Sequence, residues 1–216
     1  MPHSSPPAPL KKLVVATANS GKLREFRSLL AGLPFELTSL GELGLPSPAE
    51  TGSTFLANAT LKARHAAASS GCAAVADDSG IEVDILGGAP GIYSARYAGL
   101  HASDHANNAK LVSALEGVPH EQRRARYQCA LVFVEAADAA PLVAEAAWQG
   151  FILDAPRGSG GFGYDPYFWL PELNRTAAEL TSEEKNRLSH RGKAMRALRE
   201  LLLARLGAHV QPTVRA

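Results

Sequence analysis

The segment Ala76-Asp77-Asp78-Ser79-Gly80 follows directly on the apolar run Ala73 to Val75. Two adjacent carboxylates beside a buried strand constrain the fold more than any other feature of this chain, because an unpaired charge near a core is strongly disfavoured. In an extended chain, neighbouring side chains point to opposite faces. Asp77 and Asp78 therefore reach one common ligand only through a bend, which Gly80 would permit. The residues alone allow two readings. One is an Asx-type turn between two strands. The other is a site where hard oxygen ligands hold a hard cation such as magnesium beside a phosphate-bearing substrate.

The 216 residues suit one large domain or two small lobes, and 46% hydrophobic content can furnish a sizeable core. A net charge of +1 gives no global field that argues for nucleic acid or a membrane as partner. Cys72 and Cys129 both stand in apolar surroundings and read as reduced, buried thiols rather than a disulfide scaffold. The first residues lack the charged and apolar regions of a secretion signal, and no run reaches membrane-spanning length. The expectation is a soluble, cytoplasmic protein. Residues 1–10, rich in Pro and Ser, read as a disordered tail, 11–207 as a single domain, and 208–216 as a loose end.

Leu13 to Ala16 reads as a short buried strand, Thr17 to Gly21 as a turn, and Lys22 to Leu30 as a helix with Leu23, Phe26, Leu29 and Leu30 at helical spacing. A second helix is expected from Ser53 to Ser70, capped by Ser53 or Thr54. A strand over Ala73 to Ala76 ends at the two carboxylates, and Ile81 to Ile85 continues extended. Leu86 to Gly91 reads as a loop, and Ser103 or Asp104 opens a helix through Leu115. Tyr127 to Val134 and Leu142 to Leu153 form a hairpin, with a further strand over Tyr167 to Leu170. Thr181 and Glu184 make a capping box. Ser189 caps a long amphipathic helix carrying Ala194, Leu198, Leu201, Leu202 and Leu206. This order predicts an α/β protein with a mixed sheet.

Three other clusters lie at element ends, where functional residues concentrate. Thr17 to Lys22 is a strand–turn–helix corner whose free N–H groups and lysine suit an anion. It is not a Walker A loop, since Ala16 and Leu23 stand where that pattern needs Gly and Ser or Thr. Glu50-Thr51-Gly52 precedes a helix on which Asn58 and Lys62 share a face; a solvated surface pair is the simpler reading of those two. Gly158 to Asp165 satisfies G-x-G-x-x-G, but a strand follows where a dinucleotide fold needs a helix. Its glycines around two aromatics suggest backbone close to a flat ligand, with a ring for stacking. Lys185 and Ser189-His190-Arg191 place cations near helix starts, against the helix dipole, and a bound anion would resolve that conflict. Each cluster also reads as plain structure when taken alone. Together they supply carboxylates for a metal, cations for phosphates and a slot for a base.

Seven ordered segments then resemble one family: Ala16 to Lys22, Glu50 to Phe55, Asn58-Ala59 with Lys62-Ala63, Ala76 to Gly80, Gly87 to Arg96, Gly160 to Pro166, and Ser189 to Gly192. Over Leu13 to Leu206 the chain is similar to the Ham1-like inosine/xanthosine triphosphate pyrophosphatases. Two positions depart from that family's pattern. Ala18 stands where Gly is usual, and Ala57 where many members carry Glu. The resemblance implies an elongated, two-lobed α/β fold around a long mixed β-sheet with flanking helices and a central cleft, usually as a homodimer.

At matching positions the resemblance places Thr17, Ala18, Asn19, Ser20, Gly21 and Lys22 on a purine nucleoside triphosphate. It gives Glu50 and Asp78 to Mg2+, and Asp78 also the proton of the attacking water. Ser79 touches substrate, Phe162, Gly163, Tyr164 and Asp165 form the base pocket with Phe162 as the stacking ring, and Lys185, His190 and Arg191 complete the site. The implied reaction splits the α–β phosphate bond of inosine, deoxyinosine or xanthosine triphosphate, with Lys22 and Lys185 near the leaving pyrophosphate. His190, Arg191 or backbone donors would read the 6-oxygen, and Asp77 would brace the loop. Two other readings stay open at this point: a Maf-like pyrophosphatase of different base specificity, and a nucleotide-binding module without catalysis.

Overall fold

The computed structural model describes residues 11–17 and 20–208. The expectations for residues 1–10 and 209–216, and for Ala18 and Asn19, lie outside them. Among the described residues one seven-stranded sheet runs in the order β2-β1-β3-β4-β5-β6-β7. β1 (Lys11–Val15) lies next to the edge, between β2 (Phe35–Ser39) and β3 (Ala73–Val83), and is parallel to both. From β3 onward every pairing is antiparallel, through β4 (Arg124–Val134), β5 (Leu142–Ile152), β6 (Phe168–Leu170) and β7 (Arg175–Thr176). The sheet is mixed, as expected.

Period-two alternation decides which helix covers which face. Leu13, Val15, Val75 and Leu131 point to one face, where α1 (Ser20–Leu29) and α5 (His190–Ala208) bury Phe26, Met195 and Leu198 against them. Val14, Ala74, Ala76 and Val132 point to the other, against Ala59, Ala63 and Ala66 of α2 (Phe55–Ser70). Small residues on both sides let α2 lie close to the sheet. β3, β4 and β5, eleven residues each, run on into another core. There Ile81, Tyr127, Trp148 and Phe168 meet Leu111 and Leu115 of the segment that holds α3 (Asp104–Ala114). Long strands carrying separate cores give the two-lobed layout.

The expected caps form. Thr54 accepts the Ala57 N–H, Ser103 the Ala106 N–H, and Thr181 with Glu184 closes its box ahead of α4 (Ser182–Leu188). Ser189 accepts the Gly192 N–H at 3.2 Å. Four expectations change. Ala73 to Val83 is one unbroken strand, so no Asx turn separates two strands at the carboxylates. β2 was not expected; it is a short edge strand that ladders in parallel with β1 and buries Phe35 in the core. Leu201 faces solvent, since the buried stripe of α5 is narrower than the run of leucines. Cys72 and Cys129 are free thiols, but of the two expected buried thiols Cys72 is only half-buried; burial, with the Asp77 charge adding to it, pushes Cys129 up to about 12.

Candidate active site

The unbroken strand sends its two carboxylates to opposite faces. Asp77 is buried on the α1/α5 face, where Lys22 Nζ lies 2.9 Å and Arg191 Nη2 3.3 Å from its Oδ2. Arg191 also donates to Ser79 Oγ at 3.0 Å and to Glu25 Oε2 at 3.1 Å. Burial alone would raise the Asp77 carboxyl, but the Lys22 and Arg191 charges outweigh it and hold the group far below the usual carboxylate range. Arg191 is lifted in turn: burial works against its charge, and Asp77 and Glu25 more than restore it. The countercharge for this cation at the start of α5 is thus the protein's own carboxylates, and no bound anion is needed to explain it.

Asp78 is buried on the α2 face. Asn58 Nδ2 donates to its Oδ2 at 3.2 Å, and Lys62 Nζ to its Oδ1 at 2.7 Å. The same ammonium donates to Glu50 Oε1 at 2.9 Å, and Arg96 Nη1 to Glu50 Oε2 at 3.0 Å. Burial raises the Asp78 carboxyl and the nearby Glu50 charge adds to it, so the pull of Lys62 does not bring it back to normal. Glu50 goes the other way, because Lys62 and Arg96 overcome its desolvation.

Local structure explains this meeting. Asn58 and Lys62 are buried on the sheet-facing side of α2, one turn apart. Asn58 Oδ1 also accepts the Gly52 N–H at 2.8 Å, tying the Glu50–Gly52 loop to the helix. Gly80 allows the second approach. A Cβ there would sit 2.5 Å from both Gly91 O and Ser94 Oγ, so only glycine lets the helical turn Gly91–Arg96 dock on β3. Gly80 serves this close packing and not a bend. That docked turn carries Arg96 to Glu50.

The aromatic loop lies at the other end of the site. Phe162 is 53% exposed, with Lys185 Nζ 4.3 Å and Arg191 Cζ 5.6 Å from its ring centroid. Asp165 is buried beneath it and accepts from the Phe162 N–H at 2.8 Å, from Tyr127 OH at 3.2 Å and from Lys185. A Cβ at Gly161, where φ is +73°, would fall 2.1 Å from Asp165 Oδ2. Tyr164 is buried as well, its hydroxyl donating to Ser94 O at 2.8 Å. Of the four expected base-pocket residues, Phe162 alone presents an open ring, while Tyr164 and Asp165 shape the loop that presents it. Lys185, expected beside the leaving group, stands at this aromatic end. His190 is buried, stacked on Tyr127 at 4.7 Å and 8°, and its Nδ1 has no partner among the described residues. Burial, then the Arg191 and Lys185 charges, hold its pKa well below the ordinary value, so the ring is neutral at pH 7.

Two adjoining clefts complete the geometry. One, of about 460 Å³, is lined by Thr17, Lys22, Glu50, Lys62, Asp77 and Arg96 among others. The other, of about 650 Å³, is lined by Lys22, Glu25, Gly161, Phe162, Lys185 and Asn186 among others. Lys22 lines both. Ser20 and Gly21 open α1 between Thr17 and Lys22. Among the described residues no group of three or more His, Cys, Asp or Glu is arranged for a metal. Glu50 and Asp78 do converge on one cation, the Lys62 ammonium. Two carboxylates completed by substrate oxygens are a donor set that suits magnesium.

Sequence reasoning undervalued Asn58 and Lys62 as a surface pair, and gave Arg96 no role. The signal for the first two was their place on the alanine-rich face of α2 with Ala59, Ala63 and Ala66, a face that must be buried. Nothing local marks Arg96, whose partner is 46 residues away.

Fold and site define an α/β protein whose cleft joins a cation- and carboxylate-rich end to an aromatic end. Residues 13–201 match the Ham1 family. The chain is 56% identical to a dITP/XTP pyrophosphatase of Pectobacterium atrosepticum over 194 residues, 89% of this chain and 98% of that one. It is 54% identical to the dITP/XTP pyrophosphatase of Vibrio cholerae over 88% of this chain and 95% of that one. A solved Ham1 protein from Coxiella burnetii superposes with a TM-score of 0.86 at 43% identity, covering 90% of this chain and all of that one. The chain belongs to the Ham1 family.

Proposed function

We propose that this protein is a magnesium-dependent pyrophosphatase that hydrolyses inosine, deoxyinosine and xanthosine triphosphates to the monophosphate and pyrophosphate, clearing non-standard purines from the nucleotide pool. The observation that carries this reading is the convergence of Glu50 and Asp78 on one cation in a site whose far end is an open aromatic ring under two cations. The relatives' name, dITP/XTP pyrophosphatase, supports it.

Thr17 to Lys22 bind the triphosphate, through the N–H groups that open α1 and the Lys22 ammonium. Glu50 and Asp78 would hold magnesium, which when bound would offset triphosphate charge. Asp78 takes a proton from the attacking water as the water oxygen bonds the α-phosphorus. The bond from that phosphorus to the bridging oxygen breaks, and pyrophosphate leaves. Burial makes Asp78 a stronger base than an ordinary carboxylate, which suits this task. Lys22 neutralises charge on the leaving group. Phe162 stacks on the purine, and Lys185, with backbone donors, reads its 6-oxygen. Adenine, with an amino group there, leaves those donors unpaired at a cost of about 1–3 kcal/mol each. Neutral His190 supports the slot through its stack on Tyr127. We place the protein in the cytoplasm, and as a homodimer, an oligomeric state that sedimentation of the purified protein tests.

Pyrophosphate release from a triphosphate panel tests the reaction. Rapid magnesium-dependent release from inosine and xanthosine triphosphates, with slow release from adenosine triphosphate, is expected. Equal release from modified pyrimidine triphosphates would favour the Maf-like reading, and nucleotide binding without release would leave only a binding module. Among the described residues no helix is long and apolar enough to cross a membrane.

A further inference from the structure

α3 carries two consecutive asparagines, Asn107 and Asn108, both buried. Asparagine is a weak helix former because its amide competes for backbone groups, so a buried pair inside a helix calls for partners elsewhere. Each has them. Asn107 Oδ1 accepts the Ala98 N–H at 2.8 Å and its Nδ2 donates to Ala95 O at 3.2 Å, holding the segment next to Arg96. Asn108 Nδ2 donates to Gly163 O at 2.8 Å and to Asp104 O at 2.8 Å. Asp104, one turn earlier, accepts the Gly163 N–H on Oδ2 at 2.6 Å.

Both backbone groups of Gly163 are therefore gripped by α3. Gly163 has φ +61° and immediately follows Phe162, so its peptide planes set where that ring points. The amide of Asn108 has one workable orientation, because both its neighbours are carbonyl oxygens. The buried Oδ1 is left without a partner among the described residues. A buried acceptor without a partner calls for an explanation, and the grip of the same amide on Gly163 supplies one.

We infer that Asp104 and Asn108 are positioning residues for purine recognition, fixing Phe162 through Gly163. The inference rests on the reading of Phe162 as the ring that stacks on the base. It assigns α3, which none of the motifs above includes, to the specificity of the reaction.

Calorimetric binding of inosine monophosphate and of pyrophosphate to the full-length protein tests it. Asn108→Ala and Asp104→Ala are each expected to weaken inosine monophosphate about tenfold while leaving pyrophosphate unchanged, since only the base end loses its geometry. Asp104→Asn keeps an acceptor oxygen and restores most of the affinity. In a Phe162→Ala background, Asn108→Ala adds less than about twofold, because the ring it positions is gone. Equal weakening of both ligands, an unchanged affinity for inosine monophosphate, or a full tenfold loss persisting in the Phe162→Ala background would overturn the inference. Asp104 is exposed, so its variants keep the test decisive if Asn108→Ala folds poorly. Should Phe162→Ala itself leave inosine monophosphate binding intact, the stacking reading fails and takes this inference with it. A normal Phe162→Ala loss without an Asn108 or Asp104 effect sinks this inference alone.

Discussion

Asp77 and Asp78 are both buried and sit side by side on β3, yet they face different surroundings. On the α1/α5 face two cations, Lys22 and Arg191, converge on the single carboxylate of Asp77. On the α2 face a single ammonium, Lys62, is divided between Asp78 and Glu50. In the first arrangement two cations touch Asp77, although Arg191 is shared with Glu25, and together they hold the acid in the ionised form. The second leaves its acid short of positive charge, more basic than usual and open to a further cation. One residue of register, a rotation of a half-period along the strand, separates a structural anchor from a reactive group.

The sharpest way to break this comparison is to neutralise each acid in turn. Asp78→Asn should lower turnover of inosine triphosphate by about 10²–10⁴-fold, with a smaller loss of stability than Asp77→Asn, because Lys62 keeps Glu50 and Asp78 holds only a share of one cation. A stability loss matching that of the Asp77 variant would mean the two faces do not differ. Asp77→Asn should behave in the opposite sense. It removes one of the two carboxylates that balance buried Arg191, leaving Glu25, and chemical denaturation should report a loss toward the lower end of about 3–5 kcal/mol. Full stability in that variant would remove Asp77 as the anchor.

A smaller effect comes from the next two residues, which repeat the alternation. Gly80→Ala puts a methyl against Gly91 O and Ser94 Oγ and should cost about 1–3 kcal/mol by overpacking. It should also weaken metal binding, measured with Mn2+ by electron paramagnetic resonance, since the displaced turn carries Arg96 away from Glu50. Unaltered Mn2+ affinity would show that this docking does not position the carboxylate.

The mildest effect is a slope with pH. His190 belongs to the Asp77 side, against Arg191, and its folded pKa is depressed. The unfolded chain therefore binds a proton that the folded protein refuses once pH falls below about 6.5. Stability falls with pH through that window, by at most about 1.4 kcal/mol per pH unit from this one group. Asp77, depressed as well, adds a loss only below about pH 4, where the unfolded carboxyl takes up its proton. His190→Gln should flatten the upper slope and leave the lower one. An unchanged profile between pH 7 and 5 would clear His190 of that role.

Much of this was legible in the residues. The apolar runs Leu13 to Ala16 and Ala73 to Ala76 read as buried strands, and cap chemistry near Thr54, Ser103 and Thr181 marks their helix starts. That Asp77 and Asp78 could not share one ligand in an extended chain was readable as well. β2 was not, because a five-residue edge strand owes its existence to a parallel partner more than twenty residues away in sequence. Tyr164 and Asp165 read as pocket residues, yet their side chains turn inward to Ser94 and to Tyr127 and Lys185.

Local physics, then, determines the elements of this protein: periodicity places the apolar faces, caps set helix starts, and extended geometry separates neighbouring acids. Tertiary structure decided which charge answers which. Lys62 reaches Asp78 from 16 residues away, Arg96 reaches Glu50 from 46, and Arg191 reaches Asp77 from 114. A charge acts over a few ångströms once water is excluded, and the chain's order says nothing about which distant groups will lie that close. The anchor and the reactive acid were both written at positions 77 and 78, but only the folded protein assigned the roles.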